Sequence, residues 1–158
     1  MARRNQRTYC LNRPDFMAAA IEQAQYAAAR GEVPIGAVIA GNGSILSAAG
    51  NRTRELSDPT AHAEILAIRD ACRQLGTERL TGYDLYVTLE PCAMCAGAIS
   101  FARLRRLYFG AEDDKGGAVV NGTRFFSSPI CHHAPEVYSG LRELETARML
   151  KSFFKDRR

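Results

Sequence analysis

An α/β sandwich of two or three layers is the fold class this chain predicts, and three observations predict it. Apolar segments of strand length alternate with segments of helical periodicity along most of the sequence. Two short apolar runs meet at Gly41-Asn42-Gly43, whose residues tolerate positive φ, so a hairpin adds an antiparallel edge to a partly parallel sheet. The chain has 158 residues, 46% of them hydrophobic, with no low-complexity stretch and no internal repeat; that suits one packed domain spanning 1–158 and is too short for two.

From Pro14 to Arg30, Met17, Ile21, Ala24 and Ala28 recur at helical spacing between an early Pro14-Asp15 and a stopping Gly31, which predicts a first helix. Val33 to Ala40 and Ser44 to Gly50 are the two strands of the hairpin. A polar loop from Asn51 to Pro59 leads into a second helix from about Thr60 to Leu75, with Ile65, Leu66, Ile68 and Ala71 apolar, Thr60 as cap and Gly76 beyond its end. Leu85 to Leu89 reads as a buried strand broken by Pro91, and small residues from Cys92 to about Ala102 form a third helix. Leu104 to Phe109 is a further strand. A Gly-rich, charged and poorly patterned region then reaches about Pro135, followed by a short strand around Val137. The last helix runs from Leu141 to Phe154, with Leu144, Ala147, Leu150 and Phe154 on one face.

The formal charge of +4 is unevenly spread: Arg3, Arg4, Arg7 and Arg13 crowd one end, Lys151, Lys155, Arg157 and Arg158 the other, and Arg103, Arg105 and Arg106 the middle. Such clusters either neutralise phosphates, which suits a nucleic-acid substrate, or simply solvate a surface. No apolar run of signal-peptide length follows the basic start and none approaches a membrane span, so the expectation is a cytoplasmic protein without membrane attachment. The five cysteines, Cys10, Cys72, Cys92, Cys95 and Cys131, are an odd set that argues against a disulfide framework. The close pair Cys92 and Cys95 favours a metal; the others read as reduced thiols, with Cys72 on an apolar helix face.

His62-Ala63-Glu64 and Pro91-Cys92-Ala93-Met94-Cys95 supply three metal ligands and one spare acid. One His and two Cys are three arms of a tetrahedral zinc site whose fourth arm can hold water; spacing alone leaves iron open. Both segments sit where a helix begins, so the dipole of the Cys92 helix favours thiolate, and two Cys at i, i+3 face the same side. Glu64 is either an ordinary first-turn acid or the proton carrier of the site, taking a proton from an activated water and delivering it to a ring nitrogen while an exocyclic amine leaves. A redox dithiol would not need His62-Ala63-Glu64. A structural zinc knuckle would close with a fourth ligand, for which His132 or His133 could serve.

The match extends beyond these ligands. Pro34-Ile35-Gly36-Ala37-Val38, Gly50-Asn51-Arg52, Asp58-Pro59-Thr60-Ala61-His62-Ala63-Glu64, Thr88-Leu89-Glu90-Pro91-Cys92-Ala93-Met94-Cys95-Ala96-Gly97-Ala98, Tyr108-Phe109-Gly110-Ala111-Glu112-Asp113-Asp114-Lys115-Gly116-Gly117-Ala118 and Phe153-Phe154-Lys155-Asp156-Arg157-Arg158 resemble the bacterial tRNA-specific adenosine deaminases of the cytidine deaminase-like superfamily. The resemblance covers nearly the whole chain past its first dozen residues. It implies a three-layer α/β/α sandwich on a mixed five-stranded sheet, a homodimer, one Zn2+ per chain, and hydrolysis of adenosine to inosine at the wobble position of a tRNA anticodon. An anticodon loop suits such a pocket because its bases are already splayed.

Carried over by position, the resemblance makes His62, Cys92 and Cys95 the zinc ligands and Glu64 the proton shuttle. Asn51 would hydrogen-bond the flipped base, helped by a backbone N–H near Ala63 or Cys92. Asp113 and Lys115 would lie by the flanking nucleotides, with His133 in the same groove. Two departures stand out: Thr146 follows Glu145 where many members carry Cys, and the stretch 130–135 matches loosely. Read without the resemblance, Asn51 is a turn former, Asp113 and Lys115 a solvated loop, and Phe153 and Phe154 core. The zinc motif alone also fits a deaminase of free bases or nucleotides such as guanine or cytosine, and an RNA-binding zinc domain without catalysis.

Overall fold

The computed structural model describes residues 14–157; Cys10, the cluster Arg3, Arg4, Arg7 and Arg13, and Arg158 lie outside the described residues. Five strands form one sheet in the order β2-β1-β3-β4-β5. They are β1 (Gly36–Gly41), β2 (Ser44–Gly50), β3 (Asp84–Leu89), β4 (Arg106–Ala111) and β5 (Glu136–Tyr138). β1 is antiparallel to both its neighbours, whereas β3, β4 and β5 run parallel. Four helices accompany them, α1 (Phe16–Ala29), α2 (Ala63–Leu75), α3 (Ala93–Phe101) and α4 (Glu143–Lys155).

Alternation along the strands sorts the sheet into two apolar faces. Ala37, Ile39, Leu85, Val87, Leu107 and Phe109 pack with Ala67, Ile68 and Ala71 of α2 and Ala96 and Ile99 of α3. Val38, Ala40 and Tyr86 face the other way, under Met17, Ala20 and Ile21 of α1 and Met149 of α4. The product is the three-layer α/β/α sandwich with a mixed five-stranded sheet that the resemblance implies. α1 can approach closely because its partners are glycines: a Cβ at Gly36 would come within 1.9 Å of the Ala20 carbonyl oxygen, and one at Gly50 within 2.7 Å of that of Gln23. These two glycines face each other across β1 and β2. The β1–β2 register slips between Ile39 and Ala40, leaving Leu46 as a bulged residue, and Gln74 of α2 donates to the Leu46 carbonyl at 2.9 Å.

Four boundaries differ from the sequence expectation. Val33 to Ile35 are not strand, because Pro34 has no N–H to offer and Ile35 turns its own back to the Val33 carbonyl at 2.8 Å. Thr60 does not cap α2: its hydroxyl and N–H both go to Asp58 Oδ1, at 2.7 and 2.8 Å, and the helix begins after His62. β4 starts and ends two residues late, since Arg103 takes φ 60° and Arg105 donates to the Tyr83 carbonyl in a turn, while Gly110 stays inside the strand. A Cβ at Gly110 would meet Thr146 Oγ1 at 2.6 Å, so the glycine seats α4. α4 itself begins at Glu143 instead of Leu141, and the poorly patterned region holds a short 3-10 turn, Phe125–Ser127.

Candidate active site

β3 ends at Leu89, and the chain passes through Glu90 and Pro91 to Cys92, the residue that caps the start of α3. His62 holds the equivalent place at the start of α2. The ligand segment after β3 therefore opens beside the carboxyl ends of the parallel strands, the crevice in which open α/β sheets bind ligands. His62 Nδ1 lies 3.6 Å from Cys92 Sγ and 3.6 Å from Cys95 Sγ. With Zn–S near 2.3 Å and Zn–N near 2.05 Å, a tetrahedral centre demands a sulfur-to-nitrogen edge of about 3.6 Å, so the donor set fits zinc. All three donor atoms lie within 4.8 Å of one another, and no other His or Cys joins them among the described residues. The closure by His132 or His133 that a structural knuckle requires is not what the structure shows.

The electrostatics point the same way. A hydrogen bond from Cys95, helped by His62, brings the Cys92 thiol down to about 4, while that same bond and burial push Cys95 far up. A divalent cation is what lets both become thiolates. His62 is drawn upward by its contact with the Cys92 sulfur.

Glu64 stands in the first turn of α2 and is buried. Burial raises its carboxyl to about 7, reinforced by the Cys92 charge and opposed by its own backbone N–H and His62. Its Oε2 is the one buried side-chain oxygen or nitrogen without a hydrogen-bond partner among the described residues. An unpaired buried polar atom costs stability, and such atoms mark places kept for a ligand or for chemistry.

Asn51, at the end of β2, is buried, and its Oδ1 accepts the Ala63 N–H at 2.8 Å. This bond satisfies a free amide of α2 that His62 leaves uncapped, and so fixes the start of the helix that carries His62 and Glu64. Asn51 is held in turn by its N–H to the Ile35 carbonyl and by Arg30 on its own carbonyl, at 3.1 and 3.2 Å.

Asp113 and Lys115 lie on the loop that follows β4. Asp113 Oδ1 accepts the N–H groups of Lys115 and Gly116, at 3.1 and 2.9 Å, so part of this carboxylate shapes its own loop. Lys115 is exposed beside Lys151, Phe154 and Lys155 of α4 along an open groove. Of the two phenylalanines, Phe153 is buried and Phe154 exposed.

His133 is anchored beside the far end of α3. Its Nε2 contacts the Leu104 carbonyl at 2.8 Å and its N–H donates to Ser100 Oγ at 3.4 Å. Ser100 is eight residues beyond Cys92, about 12 Å along α3 at 1.5 Å per residue. The ring therefore secures the α3–β4 junction at the other end of the helix from the ligands.

Two acids that sequence reasoning passed over are buried at the rims of the site. Glu32 accepts from Thr53 Oγ1 and from the N–H groups of Arg54 and Glu55. Glu90 accepts from the N–H groups of Asp113, Val119, Val120 and Asn121 and from Asn121 Nδ2. Burial pushes the Glu90 carboxyl up, but these donors outweigh it and hold it below the usual carboxylate range. The only signal in the sequence was an acid at the end of an apolar strand.

The family described as the cytidine and deoxycytidylate deaminase zinc-binding region matches residues 12–111. A tRNA-specific adenosine deaminase of Agrobacterium fabrum is 63% identical over 146 residues, 92% of this chain and 96% of that protein. A solved structure from work on A-to-I editing by tRNA:A34 deaminases at the wobble position of transfer RNA superposes with a TM-score of 0.84 at 65% identity, covering 85% of this chain and 98% of the other. The guanine deaminase of Bacillus subtilis shares the architecture at a TM-score of 0.61 and 32% identity, over 97% of this chain and 94% of its own.

Proposed function

The chain belongs to the zinc-binding cytidine and deoxycytidylate deaminase family, among its tRNA-specific adenosine deaminases, and from that premise we propose how its own residues convert adenosine to inosine at the wobble position of a tRNA anticodon. The observation that carries the reading is the His62, Cys92 and Cys95 triad with the unpartnered oxygen of Glu64 beside it. His62, Cys92 and Cys95 would hold one zinc. When bound, zinc supplies a Lewis acid that makes water nucleophilic at neutral pH.

Glu64 takes a proton from the attacking water and gives it to a ring nitrogen of the adenine. It then moves the second proton to the departing amine, so that water and adenosine become inosine and ammonia. Asn51 already accepts the Ala63 N–H on its oxygen, so its NH2 group is the part it offers the base, donating to an acceptor nitrogen of the adenine. The loop carrying Asp113 and Lys115, with Lys151 and Lys155 across the groove, receives the flanking nucleotides and their phosphates.

The same reading makes 1–158 a single deaminase domain acting in the cytoplasm; among the described residues no helix is long and apolar enough to cross a membrane. It also makes the protein a homodimer. Met94 and Phe101 lie seven residues apart on one face of α3, Phe101 is 79% exposed, and a Cβ at Gly97 between them would meet nothing. Such an apolar stripe on the outer face of a ligand helix suits a second copy of the chain.

The test is single-turnover deamination of an anticodon stem-loop with adenosine at the wobble position. Glu64→Ala should fold, retain about one zinc per chain by metal analysis, and lose at least ~100-fold in rate. Undiminished inosine formation would remove Glu64 from the chemistry, and faster ammonia release from free guanine than from the stem-loop would replace the substrate.

A further inference from the structure

Glu90 is among the most deeply buried charged side chains, 2% exposed, and no cation among the described residues pairs with it. Five donors meet its two oxygens instead: Asp113 N–H at 3.1 Å and Asn121 Nδ2 at 2.7 Å on Oε1, with Val119, Val120 and Asn121 N–H at 3.1, 3.1 and 3.0 Å on Oε2. Both ends of the 113–121 loop are thereby tied to one carboxylate. The loop is moulded around it, since a Cβ at Gly117 would stand 2.4 Å from Glu90 Cδ, and one at Gly122, where φ is +56°, would stand 2.4 Å from the Gly117 carbonyl oxygen.

What gives this nest a functional meaning is where its backbone sits. Glu90 is two residues ahead of Cys92, and the loop it holds also donates the Ala118 N–H to the Pro91 carbonyl at 2.9 Å. The Glu90 main chain leads directly to a ligand while its side chain fixes the segment that begins with Asp113 and Lys115. We propose that Glu90 is a positioning residue for substrate, setting the 113–121 loop in register with the metal-ligand helix so that the flanking nucleotides meet a preformed surface. The role rests on the function proposed above. Preorganising a loop removes an ordering cost from binding, so losing the nest weakens capture of the RNA more than it slows the chemical step.

Glu90→Gln is the discriminating variant, because it keeps the shape and replaces an acceptor oxygen with an NH2 group that faces N–H donors. Asn121→Ala removes one donor from a less buried place and serves as the milder companion. The full-length zinc protein should show KM for the anticodon stem-loop raised about tenfold or more in Glu90→Gln and a few-fold in Asn121→Ala, with kcat within about threefold of the parent and about one zinc per chain. Amide hydrogen exchange without RNA should be faster at Val119, Val120 and Asn121 in Glu90→Gln. An unchanged KM in both variants overturns the proposal, as does a loss confined to kcat or a loss of zinc in both. A parent protein that fails to deaminate the stem-loop defeats the proposed function instead, and the exchange rates then decide alone whether Glu90 holds the loop.

Discussion

Asn51, from the end of β2, and Glu64, in the first turn of α2, meet at one helix start with opposite effects on stability. Asn51 satisfies a buried N–H, whereas Glu64 leaves a buried oxygen unsatisfied. Asn51→Ala should therefore cost about 1–3 kcal/mol, while Glu64→Gln, which removes a buried charge without changing shape, should melt at or above the parent temperature although inactive. Thermal denaturation of the two zinc-loaded variants checks both directions, and a destabilised Glu64→Gln would mean that the carboxylate has a partner. At this scale the ligands were legible in advance, because the Cys92 and Cys95 pair with His62-Ala63-Glu64 fits a shared ion better than a redox dithiol, which needs no such His. The part Asn51 plays at Ala63 was not, since a side chain capping a remote amide leaves no periodic trace. Glu90 was invisible for the same reason: four of its five donors are backbone groups.

Elements were read well where periodicity governs them and poorly where a glycine meant contact instead of interruption. Gly110 read as the end of β4, yet it is a strand residue that makes room for Thr146, whose hydroxyl also accepts the Ala111 N–H at 3.0 Å. Thr146 thus has a structural duty, seating α4 on the sheet. Gly36 is the sharper case, being pressed against the α1 backbone at Ala20 and Ala24. Backbone cannot swing aside as a flexible side chain can, so Gly36→Ala should lose about 3 kcal/mol or more, seen as a lower urea midpoint. A midpoint within experimental error of the parent would show that α1 can slide over the sheet.

For the whole molecule, the sandwich divides its labour between faces. α2 and α3 carry the ligands, and α3 also presents Met94 and Phe101 outward. Phe101→Glu should shift the protein from dimer to monomer in sedimentation equilibrium without displacing zinc, because the side chain touches water and not the ligand cluster. A monomeric parent would contradict the homodimer outright. The stripe was not legible in advance, because Cys92 to Ala102 reads only as a helix of small residues, with no periodicity to mark an outward face.

The two edges of the sheet also bear on how the protein behaves when crowded. Exposed strand edges are templates for a neighbour's backbone, and edge-to-edge pairing is a common start of aggregation. On one side Leu46 bulges out of register and Gln74 occupies its carbonyl; on the other, β5 is only three residues long and carries the Glu136 carboxylate against Arg106. Neither border offers a long flat row of free N–H and C=O groups, so the sheet stops at five strands and gives a second copy little backbone to extend.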